Sequence, residues 1–296
     1  MLLKKLIVFL IRFYCQKLPF NFGKRFLIER GKGFIPNGEN KLRISIQGQF
    51  VNFVIKSPED CFYSELFFSN HLEEGTSLFF ASFLKDTDVI FDIGTNLGFM
   101  SLQFACISKR GVVYSFEPMP LTFQKLCKNI SLNPSLSNRI NIMNKAVSDY
   151  NGPLSLYVPN DGHHGLVSIS DKISNDVRLV TVQACTIDTF VSDNNIDTIN
   201  FIKIDVEGAE GLVIKGAMNS IAKFNPSVML EANVGVHSDK GILIDLIEEI
   251  CLLHNYRLFR APSAYLRVVG MMNSGDFGNG DNIFILNEEH ARKILF

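Results

Sequence analysis

Strand-like and helix-like patterns alternate along the chain from residue 89 onward. Short runs rich in β-branched and aromatic residues are typical of buried strands, and seven of them lie at 89–93, 112–117, 140–143, 200–205, 228–231, 256–260 and 282–286. Apolar residues spaced three and four apart predict helices between them, at 119–132, 209–223 and 240–254. Because a helix between two strands forms a crossover, this alternation predicts a mostly parallel sheet covered on both faces.

Two departures from the alternation refine the predicted sheet. The last two strand-like runs are joined by a long polar loop that includes "MMNSGDFGNGD" at residues 271–281 and lacks a helical pattern, which favours an antiparallel last strand. Residues 153–190, between the third and fourth runs, contain the strand-like stretches "LSLYV" and "RLVTVQACT", which predict an inserted hairpin. The predicted fold class is therefore α/β, a seven-strand doubly wound sheet with a reversed last strand.

A small layer is predicted ahead of this sheet. Residues 42–55 alternate apolar and polar positions around Gly48, which is typical of a β-hairpin, and residues 64–84 have a helical pattern. We therefore expect an N-terminal helix and hairpin region over residues 1–84 and the main domain over residues 85–296.

The first 17 residues predict a helix with an apolar surface and one polar side. Their longest uncharged run, residues 6–11, is far shorter than the roughly 20 residues that span a bilayer. Lys5, Arg12 and Gln16 fall on one side of a helical wheel, with leucine, isoleucine and phenylalanine around the rest. Such a helix suits the surface of a membrane, and it suits packing on the body of the protein equally well. Both interpretations remain open.

Composition and charge serve mainly to exclude classes of function. The chain has 296 residues, 47% of them hydrophobic and 20% charged, which is enough to build a folded protein with a sizeable core. A net charge of −1 gives no support for a nucleic-acid partner, because phosphate binding requires a basic excess. The six cysteines include no Cys-x-x-Cys pair and no cluster with zinc spacing. We expect a reduced, cytoplasmic protein, and the sequence requires no metal.

The candidate functional residues lie at the carboxyl ends of the predicted strands, where sheets of this kind bind ligands. The stretch "VIFDIGTNLGFMSL" places Asp92, Gly94 and Gly98 at the end of the first strand, and the glycines allow a tight turn beside a ligand. The spacing differs from the G-x-G-x-x-G of dinucleotide sites, and no lysine follows as in a P-loop. The alternative is an ordinary strand-to-helix turn with a capping acid.

The next two motifs add acids to the same edge. Glu117 ends the second strand, 19 residues after Gly98, where an acid can accept hydrogen bonds from ribose hydroxyls; the alternative is an acid that favours a helix N-terminus. In the fourth strand, Lys203 and Asp205 occupy alternate positions and so point to one side of the sheet. Glu231 ends the fifth strand at the same edge. A polar pair within a sheet buried on both faces indicates a functional role.

Taken in order, several stretches resemble the FkbM family of S-adenosylmethionine-dependent methyltransferases. They are the glycine motif above, "VYSFEPMPLTFQKLCKN", "NKAVSDYNG", "TIDTF", "FIKIDVEGAEGLVIKGA" and "PSVMLEAN", and the resemblance covers about residues 85–290. It implies a Rossmann-like class I methyltransferase fold and methylation of a hydroxyl group on a sugar, a glycan or another natural product. Thr95 stands where the family usually has alanine.

The resemblance also implies where S-adenosylmethionine binds. The methionine part and the loop contacts fall on Asp92, Gly94, Asn96 and Gly98, and the ribose falls on Glu117.

The remaining parts of the implied site lie farther along the chain. The adenine should lie near Ala146 to Asp149, and the methyl group should face Asp205. Asp205 is then the first candidate for the general base or for holding the acceptor hydroxyl, with Lys203 tuning it and Glu231 as the second choice.

Several alternatives stay open beside this interpretation. His163 and His164 lie on a glycine-flanked loop and could act as a base, while His237 and residues 271–281 could close the acceptor pocket. An NAD-dependent sugar oxidoreductase is a rival function, although the glycine spacing and the absence of a Tyr-x-x-x-Lys pair argue against it. A non-catalytic binding module on the same fold is the second rival. The expected partner is a small-molecule or glycan acceptor.

Overall fold

The computed structural model describes residues 2–17, 23–60, 62–70, 74–159, 176–232, 240–262 and 281–295. Its strands, in chain order, are β1 (Gly38–Ile46), β2 (Gln49–Ser57), β3 (Val89–Ile93), β4 (Val112–Phe116), β5 (Ile140–Met143), β6 (Ala146–Val147), β7 (Gly152–Pro159), β8 (Val177–Cys185), β9 (Phe201–Ile204), β10 (Ser227–Ala232), β11 (Arg257–Pro262) and β12 (Asp281–Leu286).

The helices surround these strands. In chain order they are α1 (Leu2–Lys17), α2 (Lys24–Gly31), α3 (Tyr63–Ser69), α4 (Glu74–Phe83), α5 (Phe99–Ile107), α6 (Pro120–Ser131), α7 (Pro134–Ser137), α8 (Ile187–Asp193), α9 (Glu210–Lys215), α10 (Met218–Phe224), α11 (Lys240–His254) and α12 (Glu288–Leu295). A single 3₁₀ turn at Lys32–Phe34 follows α2.

A seven-stranded sheet forms the centre of the protein, in the order β11-β12-β10-β9-β3-β4-β5. Its neighbours are parallel except at β12, which runs antiparallel to both β10 and β11. The chain proceeds from β3 outward to β5 and then returns to β9 on the other side of β3, so the strand order switches there. The predicted fold, with all seven strands and the reversed last strand, is confirmed.

The sheet is covered on both faces, as the apolar runs predict. Successive residues of a strand belong to different apolar clusters: Ile90 packs with α5 and the N-terminal layer, whereas Phe91 packs with α8 to α11. This alternation follows from the period of two of a β-strand. Lys203 lies between Ile202 and Ile204 of the second cluster, so its side chain emerges on the first face.

The N-terminal layer packs on the first face through a hairpin. β1 and β2 pair antiparallel across Gly48, as predicted, and Gly48 has a φ of +76°. Asn129 on α6 accepts a hydrogen bond from the backbone N–H of Val54 at 2.8 Å, and Asn133 accepts one from that of Asn52 at 2.8 Å. These side chains satisfy backbone donors of β2 that have no strand partner on that side.

The predicted helices at 64–84 and 209–223 are each divided in two, so the expectation of single helices was wrong. The first divides because Asn70 adopts a left-handed φ of 59° and ends α3. The second divides between α9 and α10 at Gly216, where a Cβ atom would lie 2.1 Å from the backbone oxygen of Ser148. The break between α9 and α10 is a change of backbone angles, with ψ of 0° at both Gly216 and Ala217. Neither interruption changes the apolar periodicity.

α1 packs on the body of the protein by one face. Ile11 and Cys15 are buried, and Gln16 donates a hydrogen bond to the backbone oxygen of Phe68 at 2.9 Å. One face of α1 therefore packs on the body of the protein, which was one of the two interpretations of this segment. No helix in the described ranges is long and apolar enough to cross a membrane.

The insertion forms a second, three-stranded sheet. β7 and β8 pair antiparallel, as the predicted hairpin requires, and β6 adds to β8 in parallel. β6 has two residues, too few to give a periodic pattern, and it was not predicted. His163, His164, His237 and residues 271–280 lie outside the described residues.

Candidate active site

The loop after β3 depends on glycine at the two predicted positions. Gly94 and Gly98 have φ angles of +78° and +87°, in the left-handed region that favours glycine. A Cβ atom on Gly94 would lie 1.7 Å from the backbone oxygen of Asp205, and one on Gly98 would lie 2.5 Å from Cδ1 of Leu126. The glycines therefore allow this loop to approach the end of β9 and the side of α6.

Glu117 follows β4 and bridges two loops. Its Oε2 accepts a hydrogen bond from the backbone N–H of Asn96 at 3.0 Å, and its Oε1 accepts one from that of Met119 at 2.9 Å. Met119 precedes α6, so a helix-capping role accounts for one of these contacts. The contact with Asn96, whose φ is +53°, is instead what fixes the glycine loop beside the acid.

The environment of Glu117 changes its acidity. Burial raises the pKa of Glu117 to about 7 against the opposing effect of its two backbone hydrogen bonds, and the charges of Asp205 and Asp92 raise it further. A buried acid that titrates near neutrality, with other carboxylates close by, is typical of a functional site.

Lys203 lies between two carboxylates at the switch point of the sheet. Its Nζ is 3.1 Å from Oδ2 of Asp205 and 3.7 Å from Oδ1 of Asp92. Asp92 and Lys203 are paired residues of the neighbouring parallel strands β3 and β9. The sequence alternation predicted that Lys203 and Asp205 point to one side, and this ion pair agrees with that placement. The Asp205 side chain is 30% exposed, whereas Lys203 and Asp92 are buried.

A hydroxyl network that the sequence did not reveal lies beside Asp92. Ser101 on α5 donates to Oδ2 of Asp92 at 2.5 Å, and its Oγ shares hydrogen bonds with Thr95 at 2.5 Å and Ser115 at 2.8 Å. The hydroxyl of Thr95, the residue that stands where the family usually has alanine, therefore has a hydrogen-bond partner in Ser101. Oδ1 of Asp92 has no hydrogen-bond partner in the part of the chain that the structure describes. The available signal was a serine inside each of two mostly apolar elements, "FMSLQFA" and "VVYSF".

Glu231 lies level with Asp205 on the adjacent strand. β10 and β9 are parallel with Leu230 opposite Ile204, so the residues that follow each of these are neighbours across the strands. Strands are about 4.8 Å apart, which brings Glu231 and Asp205 to one edge of the sheet and to one face. Glu231 is half-buried and also lies opposite Asn282 of β12.

The segment expected near the adenine begins with β6. Ala146 is buried, and Oδ2 of Asp149 accepts a hydrogen bond from Nζ of Lys215 at 2.7 Å. Asn144, which the sequence analysis did not identify, donates to the backbone oxygen of Glu117 at 2.8 Å and ties this segment to that acid.

These contacts bring the predicted residues of β3, β4, β9 and β10 to one edge of the sheet. The edge holds four carboxylates and one lysine, and no group of three or more His, Cys, Asp or Glu among the described residues is placed to hold a metal ion. The ligand that each residue binds stays a prediction. Chemically, the edge offers hydrogen-bond acceptors for hydroxyl groups and negative charge for a cationic ligand.

Comparison with known proteins assigns the chain to a family. The Methyltransferase FkbM domain matches residues 92–258. Hexuronic acid methyltransferase AglP of Haloferax volcanii is 29% identical over 51% of this chain and 59% of that protein. 2-O-methyltransferase NoeI of Sinorhizobium fredii is 28% identical over 47% of this chain and 61% of that protein. The matched part thus spans about three fifths of the length of these relatives.

A solved structure is similar over part of the chain. Methyltransferase FkbM from Methylobacillus flagellatus KT aligns over 75% of this chain and 52% of that chain, with 18% identity and a TM-score of 0.46. The family model covers more than half of the chain, from the acid of β3 to the start of β11. The chain therefore belongs to the FkbM family of methyltransferases.

Proposed function

We propose that this protein transfers a methyl group from S-adenosylmethionine to a hydroxyl group of a sugar, a glycan or another natural product. The observation that carries the proposal is the joint placement of the glycine loop, Glu117 and the pair Lys203–Asp205 around one strand switch. Family membership supports it, as do two relatives, one named as a hexuronic acid methyltransferase and the other as a 2-O-methyltransferase.

The residues at this edge fit S-adenosylmethionine. Oδ1 of Asp92 is a buried acceptor with no hydrogen-bond partner among the described residues, although the Lys203 ammonium lies 3.7 Å away. Its open hydrogen-bonding capacity suits an N–H donor of the methionine part. The turn through Gly94, Asn96 and Gly98 packs closely against the end of β9 and the side of α6, which the two glycines allow. Its backbone thereby lies beside Asp205, at the edge where the ligand is proposed to bind. Among the described residues, each oxygen of Glu117 accepts one hydrogen bond, so further lone pairs remain for the ribose hydroxyls.

The chemistry of this proposal belongs mainly to Asp205. When bound, the cofactor would supply a methyl group on a sulfonium, so that the acceptor oxygen would bond to the methyl carbon in line as the carbon–sulfur bond breaks and the thioether leaves. Asp205 holds the acceptor hydroxyl and takes its proton, while the Lys203 ammonium, 3.1 Å away, fixes the direction of the carboxylate. Alignment of the reacting groups supplies about 7–11 kcal/mol of the barrier reduction, and a general base contributes about 10²–10⁴ in rate. Glu231, level with Asp205, is the second candidate base.

Calorimetry tests the cofactor half of the proposal. Purified protein is titrated with S-adenosylmethionine and, in parallel, with NAD. Binding of S-adenosylmethionine alone is the expected result, because the glycine spacing is not that of a dinucleotide site. Binding of NAD in its place would favour the oxidoreductase.

Transfer of labelled methyl groups tests the acceptor half. Free sugars, uronic acids and polysaccharides are incubated with the protein and methyl-labelled S-adenosylmethionine, with heat-inactivated protein as the control. We expect label in at least one of these hydroxyl-bearing classes. Tight cofactor binding without transfer to any acceptor would favour the non-catalytic binding module.

A further inference from the structure

The outer face of α1 is a second apolar surface of that helix. Ile11 and Cys15 pack inward, whereas the opposite side of the wheel holds five large apolar side chains that are 50–69% exposed: Leu3, Leu6, Phe9, Leu10 and Phe13. Exposed apolar side chains that occur singly are ordinary, but a contiguous group on one helix face indicates an interaction surface.

Positive charge is concentrated in the same part of the chain. Residues 2–37 contain eight lysines or arginines and a single acid, Glu29, which is paired with Lys32. The whole chain has a net charge of −1, so the remainder is acidic. The basic excess is therefore local to α1, α2 and the 3₁₀ turn, and it does not reflect a generally basic protein.

A groove between α1 and the 3₁₀ turn brings the two properties together. It has a volume of about 790 Å³, and the basic side chains on its walls are Lys4, Lys5, Arg12 and Lys17. Phe9 and Phe13 of the exposed face line it as well, and no acid is among its described lining residues. Arg12 is held in place over the ring of Phe67, with its guanidinium carbon 5.2 Å from the ring centroid. Cationic and apolar groups side by side match the headgroup and upper acyl region of an anionic lipid.

We propose that α1 and this groove dock the protein on the surface of an anionic phospholipid bilayer, with α1 lying in the plane of the interface. The exposed apolar side chains insert beneath the headgroups, and the lysines contact the lipid phosphates. Charge argues against a second copy of the chain as the occupant, because two strongly basic surfaces would face each other. An acidic protein partner would match the charge, but it would not require the apolar face.

Vesicle co-sedimentation of the full chain tests the proposal. The probes are vesicles of phosphatidylcholine alone and of phosphatidylcholine mixed with phosphatidylglycerol. We expect sedimentation with the anionic vesicles only, weakening with salt as the screening length falls from about 30 Å at 0.01 M to about 3 Å at 1 M. A parent protein that stays in the supernatant, or that binds neutral vesicles equally well, would overturn the proposal.

The apolar face is tested by Phe9→Ser combined with Phe13→Ser. Its matched control is Leu252→Ser combined with Leu253→Ser, which changes side chains of α11 that are 83% and 66% exposed. We expect the first pair to lower the vesicle partition coefficient at least about tenfold, since each buried methylene contributes about 0.8 kcal/mol to membrane binding. The control pair should leave it unchanged. Equal losses in both pairs, or none in the first, would sink the proposal.

The charge is tested by Lys4→Glu combined with Lys5→Glu, against Lys109→Glu combined with Lys223→Glu on exposed positions elsewhere. A basic residue near an anionic surface contributes about 1 kcal/mol, so the first pair should lose at least about tenfold in partition and the second should lose much less. Light scattering measures the oligomeric state of the parent and of every variant. A dimer that the Phe9 and Phe13 changes abolish, without vesicle binding in the parent, would identify a second copy as the occupant and overturn the proposal. Cofactor affinity should be retained in every variant, so this outcome is independent of the proposed methyl transfer.

Discussion

At the scale of single residues, Glu117 links the proposed ribose site to the stability of the protein. Its pKa is raised by burial from an ordinary value of 4.5 to about 7, so the folded protein binds this proton more tightly than the unfolded chain does. Its stabilising contribution is complete below about pH 4.5 and is lost as the pH rises through about 7. A shift of that size corresponds to a few kcal/mol at most.

Glu117→Gln should therefore flatten the pH dependence of stability. Gln does not titrate, so the fall in the free energy of unfolding between about pH 5 and pH 8 should be smaller in the ligand-free variant than in the parent. Thermal melts at both pH values measure the difference. The absolute melting temperature is less informative, because Gln presents one acceptor where two backbone N–H groups donate. Glu249→Gln, on an exposed position of α11, is the control and should change nothing.

Asp205 is the residue on which the proposed chemistry rests. Asp205→Asn keeps the shape of the side chain and removes the carboxylate that would take the proton, so turnover should fall by about two to four orders of magnitude. A capping role would instead predict little change in stability and intact turnover, because Asn caps helices about as well as Asp does. Turnover, melting temperature and S-adenosylmethionine affinity are measured together. An Asn variant that stays fully active would remove Asp205 from the mechanism.

Glu231→Gln is the matched comparison for Asp205, because it changes a neighbouring carboxylate at the same edge. If Asp205 is the base, the Glu231 variant should retain most of its turnover. A large loss in Glu231→Gln with little loss in Asp205→Asn would exchange the two roles.

At the scale of elements, two asparagines on and just after α6 join the N-terminal hairpin to the main domain. Asn129 is buried; it accepts from the backbone N–H of Val54 and donates to the backbone oxygen of Leu97 at 3.0 Å. Leu97 precedes Gly98 of the glycine loop. One side chain thus contacts both the hairpin and the loop proposed to bind the ligand.

Asn129→Ala should leave both backbone groups without their partner. A buried donor or acceptor that loses its hydrogen bond costs about 1–3 kcal/mol, so the free energy of unfolding should fall by about 2–4 kcal/mol. Chemical denaturation measures the change, with Asn138→Ala, on an exposed position after α7, as the control. A loss below about 0.5 kcal/mol would mean that water replaces these contacts and that the hairpin is held chiefly by apolar packing.

The accuracy of the sequence predictions also differed among elements. Strand positions were predicted closely because β-branched runs such as "VIFDI" must be buried on both faces of a parallel sheet. The helix interruptions at Asn70 and Gly216 were missed, since they are changes of backbone angle that leave the apolar periodicity intact. Within the site, the acids at strand ends were evident from sequence, whereas the Ser101 network was not, because its members come from separate elements and meet only in the fold.

At the scale of the whole molecule, the two expected regions, residues 1–84 and 85–296, share one apolar core. Phe80 and Phe83 of α4, in the first region, pack edge-to-face against Phe201 of β9, with ring centroids 5.4 Å and 5.6 Å apart. A single apolar cluster also runs from Ile11 in α1 to Ala291 in α12. Removing the first region would therefore uncover part of one face of the central sheet, with α5, α6 and α12 left on that face.

A variant lacking residues 1–84 should consequently fail to fold cooperatively. Each buried phenylalanine that is lost costs about 3–5 kcal/mol, and a typical domain has only about 5–15 kcal/mol of stability to lose. A variant lacking residues 1–17 removes only α1, so it should fold with a lower melting temperature and keep its affinity for S-adenosylmethionine. Circular dichroism melts and limited proteolysis compare both variants with the full chain. A residue 85–296 fragment that melted cooperatively near the parent temperature would show that the N-terminal layer is a separate unit, and that the contacts of Phe80 and Phe83 contribute little to the sheet.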